Sequence, residues 1–224
     1  MERLSIWRCR YLLPLFGFAA ALAMVSCDDR DTLQPAAGQP PDLRSGILPL
    51  VIGNRWVYQD SLITSSSTRA ITYAVSVLSV RCEGDKYWWT LQNRFNPSID
   101  AREFMASNDS VFSLQHTDSP GGLAPVVSLE YIHPSEADTI SYRSVFFGDA
   151  GVTKTVTLLH QEYSGPAGRF TGCLLYTYDI NPEHYREILA PDLGVLSCEI
   201  QCDSTFMGPA WRRSITLAAY ELAH

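Results

Sequence analysis

From Ile47 onward, apolar and polar residues alternate in short runs, which is typical of β-strands with one buried face. In RAITYAVSVLSV, four apolar side chains share a face: Ile71, Tyr73, Val75 and Val77. RFTGCLLYTYD repeats the pattern with Phe170, Leu174, Tyr176 and Tyr178. Short polar turns separate the runs, and short links favour antiparallel neighbours. We predict an all-β fold with a single large antiparallel sheet of about ten strands, curled as a half-barrel or barrel, with a sandwich as the alternative.

One segment departs from the period of two. In PEHYREILA, residues 182–190, Pro182 suits the first turn of a helix. Tyr185, Ile188 and Leu189 would then share one helical face. We therefore expect at most one short helix, in this segment.

The first 26 residues have the pattern of a secretory signal peptide. MERLSIWRCR carries three arginines, and the uncharged run YLLPLFGFAAALAMV follows. Fifteen helical residues span about 23 Å, which is short of the ~30 Å hydrocarbon core that a membrane anchor must cross. The pattern therefore favours a cleaved signal over a transmembrane helix.

Two cleavage sites compete after the apolar run. Ala21-Leu22-Ala23 fits plain secretion, whereas Met24-Val25-Ser26-Cys27 resembles the bacterial lipobox, in which the cysteine is acylated and becomes the mature N-terminus. A polar, Pro-rich segment follows, so we predict that residues 27–46 are the lipid-anchored Cys27 and a disordered tether. We expect the β domain over 47–224 to be held at a membrane of the bacterial cell envelope by acyl chains on Cys27.

The charge balance bears on partners. The formal net charge is −7, and loss of residues 1–26 would make it −9 because three arginines and one glutamate leave. An acidic surface repels phosphate backbones, so we expect no nucleic-acid partner. The remaining partners are the membrane, an envelope protein or an apolar small molecule.

Four cysteines follow the predicted anchor, and an even number in an oxidising compartment permits disulfides. They are Cys82, Cys173, Cys198 and Cys202. A pair between Cys198 and Cys202 is disfavoured, because four residues of a strand separate Cα atoms by ~13 Å. We favour Cys173 paired with Cys198 or Cys202, and four unbridged thiols remain the alternative.

The sequence contains no pattern that identifies an enzyme. None of the five histidines forms an H-x-x-x-H pair, and a G-x-S-x-G elbow, a P-loop and G-x-G-x-x-G are all absent. We predict no catalytic residue, no metal and no cofactor. Trp88 and Trp89 are the candidate ligand-facing aromatics; adjacent strand residues point to opposite faces, so one of them could line a cavity.

Four stretches together resemble a bacterial group of secreted and lipoprotein β-domains of uncharacterised function. ILPLVIGNRWVYQ, YSGPAGRFTGCLLYTY, ILAPDLGVLSCEI and ITLAAYEL follow the group's pattern PLxxGNxWxY, PAGxFxxC, APGVGLV and ELxxY. This chain has Asp192-Leu193 where the pattern has Gly-Val, and the last motif is loosened. The resemblance implies a single all-β domain and supplies no catalytic residues.

Three functions are consistent with these observations. The first is an envelope lipoprotein that acts as a non-enzymatic binding or assembly module. The second is a carrier that holds a lipid-like ligand in a cavity of the curled sheet. The third is a hydrolase whose site is assembled from residues distant in sequence.

Overall fold

The computed structural model describes residues 43, 46–92, 101–107, 109–115, 125–134, 138–145, 151–203 and 208–223. The chain divides into two compact units, Met1–Gly38 and Gln39–His224, and every described residue belongs to the second. The predicted signal peptide, Cys27 and most of the tether therefore lie outside the described residues. Leu43 and Gly46, at the end of the predicted tether, already contact the domain: Leu43 is buried in the core, and Gly46 donates its N–H to the Asp192 carboxylate at 2.7 Å.

The described residues form fourteen strands and no helix. The strands are β1 (Arg55–Thr64), β2 (Thr68–Glu83), β3 (Lys86–Gln92), β4 (Ala101–Ala106), β5 (Ser110–Gln115), β6 (Val126–Ile132), β7 (Thr139–Val145), β8 (Gly151–Leu158), β9 (Tyr163–Gly165), β10 (Gly168–Phe170), β11 (Leu174–Ile180), β12 (Glu183–Ala190), β13 (Gly194–Cys202) and β14 (Trp211–Glu221).

Twelve of these strands form one antiparallel sheet in the order β6-β5-β4-β3-β2-β1-β14-β13-β12-β11-β8-β7. Strands β9 and β10 make a separate small hairpin. The large sheet is thus two meanders, joined where the first strand pairs with the last; the β9–β10 hairpin interrupts the second meander between β8 and β11. All ten residues of β1 lie in register with β14, apart from a bulge after Val57. The prediction of one large antiparallel sheet is confirmed.

The two edge strands, β6 and β7, meet without a backbone ladder and bring the sheet to a nearly closed barrel. Ser128 Oγ lies 3.1 Å from Ser144 Oγ, and it accepts the Val145 N–H at 2.7 Å. We call this line of contact the seam. The predicted curling into a barrel or half-barrel is confirmed, and the sandwich alternative does not apply.

The helix predicted over residues 182–190 is wrong. Residues 183–190 form β12, which pairs with β11 and with β13. Tyr185, Glu187 and Leu189 alternate along one face, and Glu187 is fully buried. The apolar spacing of so short a segment fits both periods, and β12 has a hydrogen-bonded neighbour on each side that stabilises the extended form.

The ends of the domain pack together at one end of the barrel. Asn54 donates from Nδ2 to the Pro49 carbonyl at 2.7 Å and accepts the Ala223 N–H at 2.7 Å. Trp56, which is 2% exposed, donates from Nε1 to the Leu193 carbonyl at 2.6 Å. Asp192 has φ +65°, a conformation that favours glycine and tolerates aspartate. We call this the terminal end. Gly46, the last residue of the predicted tether, contacts Asp192 here.

Candidate functional site

A pocket lies at the other end of the barrel, where β1 and β2 approach their turn and β14 begins. Its volume is about 490 Å³, and it is lined by Asp60, Leu62, Thr64, Arg69, Ile71, Trp211 and Arg213. All seven residues occupy inward positions of three adjacent strands: Leu62 is in register with Arg69 and with Arg213, and Thr64 with Trp211. We call this cavity the mouth pocket.

An ion pair forms the floor of the mouth pocket. Arg213 donates from Nε to both Asp60 oxygens at 3.0 and 3.1 Å, and from Nη2 to Oδ2 at 2.6 Å. The Asp60 side chain is 5% exposed and that of Arg213 is 23% exposed. Hydrogen bonds to Asp60 raise the pKa of Arg213, so the guanidinium stays charged although it is half-buried.

The walls of the pocket are apolar and its rim is basic. Leu62 and Trp211 are half-buried, and Ile71 is 41% exposed. Arg69 is exposed and lies one strand away from Leu62. Thr64 Oγ1 accepts the backbone N–H groups of Ser66 and Ser67, so its hydroxyl is engaged in the turn that joins β1 to β2.

A second polar arrangement fills the barrel interior near the seam. Lys154 is fully buried and donates to Glu130 Oε1 at 2.9 Å and to the Glu130 carbonyl at 3.2 Å. Its ammonium lies 5.4 Å from the Tyr131 ring centroid and 4.7 Å from that of Tyr178. Both tyrosines donate to the fully buried Glu187, at 2.8 and 2.6 Å. We call these five residues the interior cluster; each polar group in it has a partner, as burial requires.

Tyrosine hydroxyls also satisfy carbonyls on the free edge of β6. Tyr142 donates to the Glu130 carbonyl at 2.7 Å, and Tyr176 donates to the Ile132 carbonyl at 3.0 Å. Burial raises the pKa of both phenols, so they remain hydrogen-bond donors. Side chains from β7 and β11 thus take the place of a backbone ladder along the seam.

His184 bridges two carboxylates on the outer surface. Its Nδ1 lies 2.7 Å from Asp179 Oδ1, and its Nε2 lies 3.3 Å from Asp203 Oδ2. Hydrogen bonds raise the pKa of His184, the larger effect coming from Asp179 and the smaller from Asp203. Among the described residues, no group of three or more His, Cys, Asp or Glu side chains is arranged to hold a metal ion.

No disulfide joins the four cysteines that the structure describes. Cys198 and Cys202 both lie on β13 at inward positions, opposite Ile215 and Trp211 of β14. Cys173 donates weakly to the Phe170 carbonyl at 3.6 Å, and Cys82 to the Gly84 carbonyl at 3.4 Å. Burial raises the pKa of Cys173, which disfavours a reactive thiolate. The pairing of Cys173 with Cys198 or Cys202 stays a prediction.

Trp88 and Trp89 point to opposite faces of β3, and both are buried, at 4% and 3% exposure. Trp89 belongs to the main hydrophobic core, whereas Trp88 lies on the outer face with the Arg81 guanidinium 5.9 Å from its ring centroid. The aromatic side chain in the mouth pocket is instead Trp211.

Sequence reasoning missed the mouth pocket and the interior cluster. Asp60 and Arg213 are separated by 153 residues, and Glu130 and Lys154 by 24, so no local motif links the members of either pair. One signal was present: Asp60, Lys154 and Glu187 each occupy the inward phase of an alternating strand, where a charge needs an opposite charge nearby.

Comparison with known proteins adds no family. No family model and no curated protein matches the chain. One solved structure that aligns with it is a candidate lipoprotein from Parabacteroides distasonis, at 12% identity and a TM-score of 0.45, covering 79% of this chain and 99% of the other. Another is a candidate exported protein with a YmcC-like fold from Bacteroides fragilis, at 12% identity and a TM-score of 0.40, covering 80% and 100%. In the part of the chain that is described, no helix is long and apolar enough to cross a membrane.

Proposed function

We propose that this protein is a bacterial envelope lipoprotein, anchored through acyl chains on Cys27, whose β domain is a non-enzymatic binding module. The mouth pocket is its binding site. The anchor rests on the lipobox-like MVSC at the end of the apolar run and on the polar, Pro-rich segment that follows it.

The composition of the mouth pocket is the observation that carries the binding role. Its volume of about 490 Å³ falls in the ~300–1,000 Å³ range of small-molecule sites. Such sites combine apolar walls with a few placed polar groups. Here Leu62, Ile71 and Trp211 form the wall, and Asp60 with Arg213 forms a rigid charged floor.

The same geometry favours binding over hydrolysis. Asp60 accepts three hydrogen bonds from Arg213, which leaves it a poor general base. The Thr64 hydroxyl is held by the adjacent turn instead of by a base.

A lipid-like ligand would lie at the mouth and not at the centre of the barrel. The interior beyond Asp60 is occupied by the side chains of Tyr58, Trp56 and Tyr176, which are 4%, 2% and 0% exposed. A carrier of a lipid-like ligand is therefore a special case of the proposed binding module, in which the ligand lies on the three strands of the mouth pocket.

The anchor is tested by metabolic labelling with an alkyne fatty acid in a bacterium that processes lipoproteins. We expect label on the wild-type chain and none on Cys27→Ser. A mature chain that begins upstream of residue 27 and carries no fatty acid would overturn the anchor.

The binding role is tested by native mass spectrometry of the mature chain purified from envelopes. We expect a retained ligand or partner that is lost in Ile71→Asp, which places a charge on the pocket wall. The matched control is Ile63→Asp: Ile63 is 47% exposed and lies on the opposite face of the neighbouring strand. Equal retention by both variants would contradict the assignment of the site.

A further inference from the structure

We propose that the ligand of the mouth pocket is an amphipathic anion, with a carboxylate or similar head and an apolar tail. This inference rests on the proposed binding role of the pocket and narrows it to a chemical class. Three features of the lining support it: the sum of its charges, the spacing of its two guanidiniums and the position of its apolar side chains.

The lining has a positive balance in an otherwise acidic protein. The lining contains two guanidiniums, those of Arg69 and Arg213, and one carboxylate, that of Asp60. Asp60 and Arg213 neutralise each other through three hydrogen bonds, so Arg69 supplies the charge that remains. The whole chain has a net charge of −7, which makes a basic cavity a local exception.

The two guanidiniums lie on one row across the sheet. Arg69 on β2 and Arg213 on β14 are both in register with Leu62 on β1, the strand between them. Neighbouring strands are ~4.8 Å apart, so the two Cα atoms are separated by about 10 Å. Long side chains from such positions can reach a single anion above Leu62, and the planar fork of Arg suits a carboxylate.

Apolar side chains lie on both sides of this row. Trp211 and Thr64 form the next row toward the turn, and Ile71 and Asp60 form the next row toward the interior. Ile71 is 41% exposed, so a tail that covers it removes apolar surface from water. A tail that extends from a head between the guanidiniums toward the interior would therefore lie against Ile71, whereas Trp211 borders the head on the side of the turn.

The test compares three ligands with the same twelve-carbon tail: laurate, dodecanol and dodecylamine. The protein is the full mature chain with Cys27→Ser, so that its own acyl groups do not compete, and binding is measured by titration calorimetry at monomeric ligand concentrations. We expect laurate to bind most tightly. Arg69→Gln should weaken the affinity for laurate by about tenfold and leave the affinity for dodecanol nearly unchanged, as expected for loss of a charged hydrogen bond.

Arg55→Gln is the matched control. It removes the same charge from the exposed face of the same strand pair, but at the terminal end, where Arg55 faces Glu221 at 3.9 Å. We expect it to leave laurate affinity unchanged. A second arm adds vesicles with or without phosphatidylglycerol: binding that depends on Arg69, needs the anionic lipid and is competed by laurate identifies a lipid headgroup, whereas laurate binding alone identifies a free anion.

The outcomes separate this inference from the binding role. If dodecylamine or dodecanol binds as tightly as laurate and Ile71→Asp abolishes that binding, the pocket binds ligands but the proposed class is wrong. If Arg69→Gln has no more effect on laurate than Arg55→Gln, the class is also wrong. If none of the three ligands binds, the proposed ligand class is wrong. The binding role itself is then decided by native mass spectrometry of the chain purified from envelopes.

Discussion

At the scale of single residues, Lys154 and Glu187 are two charged side chains that the barrel buries completely. The rings of Tyr131 and Tyr178 lie beside the ammonium, and their hydroxyls are bonded to the Glu187 carboxylate. The second carboxylate, Glu130, bonds directly to Lys154. Phenol rings that face a cation and phenol hydroxyls that face an anion let one small region hold both charges.

Removing the charge of Lys154 should destabilise the fold strongly. Lys154→Met leaves Glu130 buried with only the weaker 3.3 Å bond from Ser113 Oγ among its described side-chain partners. We expect a loss of about 3–5 kcal/mol in the free energy of unfolding, measured by urea titration. Lys86→Met, which removes an exposed lysine from the start of β3, should change it by less than about 0.5 kcal/mol. Similar values for the two variants would contradict the assigned role of the interior cluster.

His184 should make stability depend on pH with a defined sign. Hydrogen bonds to Asp179 and Asp203 raise its pKa above the ordinary 6.5. The folded state therefore holds the proton of His184 more tightly than the unfolded state does. The stabilisation is fully present below pH 6.5 and is lost as the pH rises through the folded pKa. Proton NMR of the imidazole should give a folded pKa above 6.5, and His184→Gln should remove this component of the pH dependence. A folded pKa at or below 6.5 would contradict the bridging geometry.

The sequence pattern predicted the strand face on which a side chain lies better than it predicted what that side chain contacts. Alternation correctly placed Trp88 and Trp89 on opposite faces, but it could not show that both are buried; the Arg81 guanidinium that lies over Trp88, for example, belongs to the neighbouring strand. The guanidinium of Arg81 is in turn held by Glu103 and Glu83. Contacts of this kind depend on register between strands, which one sequence does not contain.

At the scale of elements, β12 shows why a short amphipathic segment is ambiguous. Tyr185, Ile188 and Leu189 satisfy a helical face, and Tyr185, Glu187 and Leu189 satisfy a strand face that includes a charge. Only the second reading fits the structure, because Tyr131 and Tyr178 supply hydrogen bonds to Glu187. Partners from β6 and β11, 56 and 9 residues away, decide between the two periods.

The seam is the element-scale feature that can be tested most directly. Ser128 and Ser144 Oγ atoms are 3.1 Å apart across it, and 16 positions separate the two residues. We expect the double variant Ser128→Cys, Ser144→Cys to form a disulfide and to raise the free energy of unfolding by about 3 kcal/mol over its reduced form. Ser128→Cys alone is the control, and it should show the same difference between oxidised and reduced samples as the wild-type chain. Failure of the pair to oxidise would show that the edges are not held as close as described.

At the scale of the whole molecule, the sequence allowed an all-β sheet to be predicted but not how it closes. About ten alternating runs with short turns indicate antiparallel meanders whatever their final curvature. Closure depends on the long-range pairing of β1 with β14 and on the seam, where the consecutive strands β6 and β7 meet without a backbone ladder. The pairing of β1 with β14 has no local signature, since Asn54 and Ala223, which meet at the terminal end, are separated by 169 residues.

The mouth pocket and the two described ends of the β domain lie at opposite ends of β1. Gly46 and Ala223 contact the terminal end, whereas Thr64 and Trp211 lie at the pocket, ten residues along the strand. We therefore expect a folded fusion partner appended after His224 to leave laurate affinity unchanged. The same partner inserted between Ser65 and Ser66 should abolish binding while circular dichroism shows the sheet intact. Loss of binding in both fusions would contradict this arrangement.

The pairing of β1 with β14 also orders events during biosynthesis. A ribosome delivers residues in sequence, so β1 to β6 can assemble as one meander while the second is still being made. One edge of β1 then remains unpaired until residues Trp211–Glu221, which form β14, are released. No nascent fragment that lacks these residues can therefore close the cylinder.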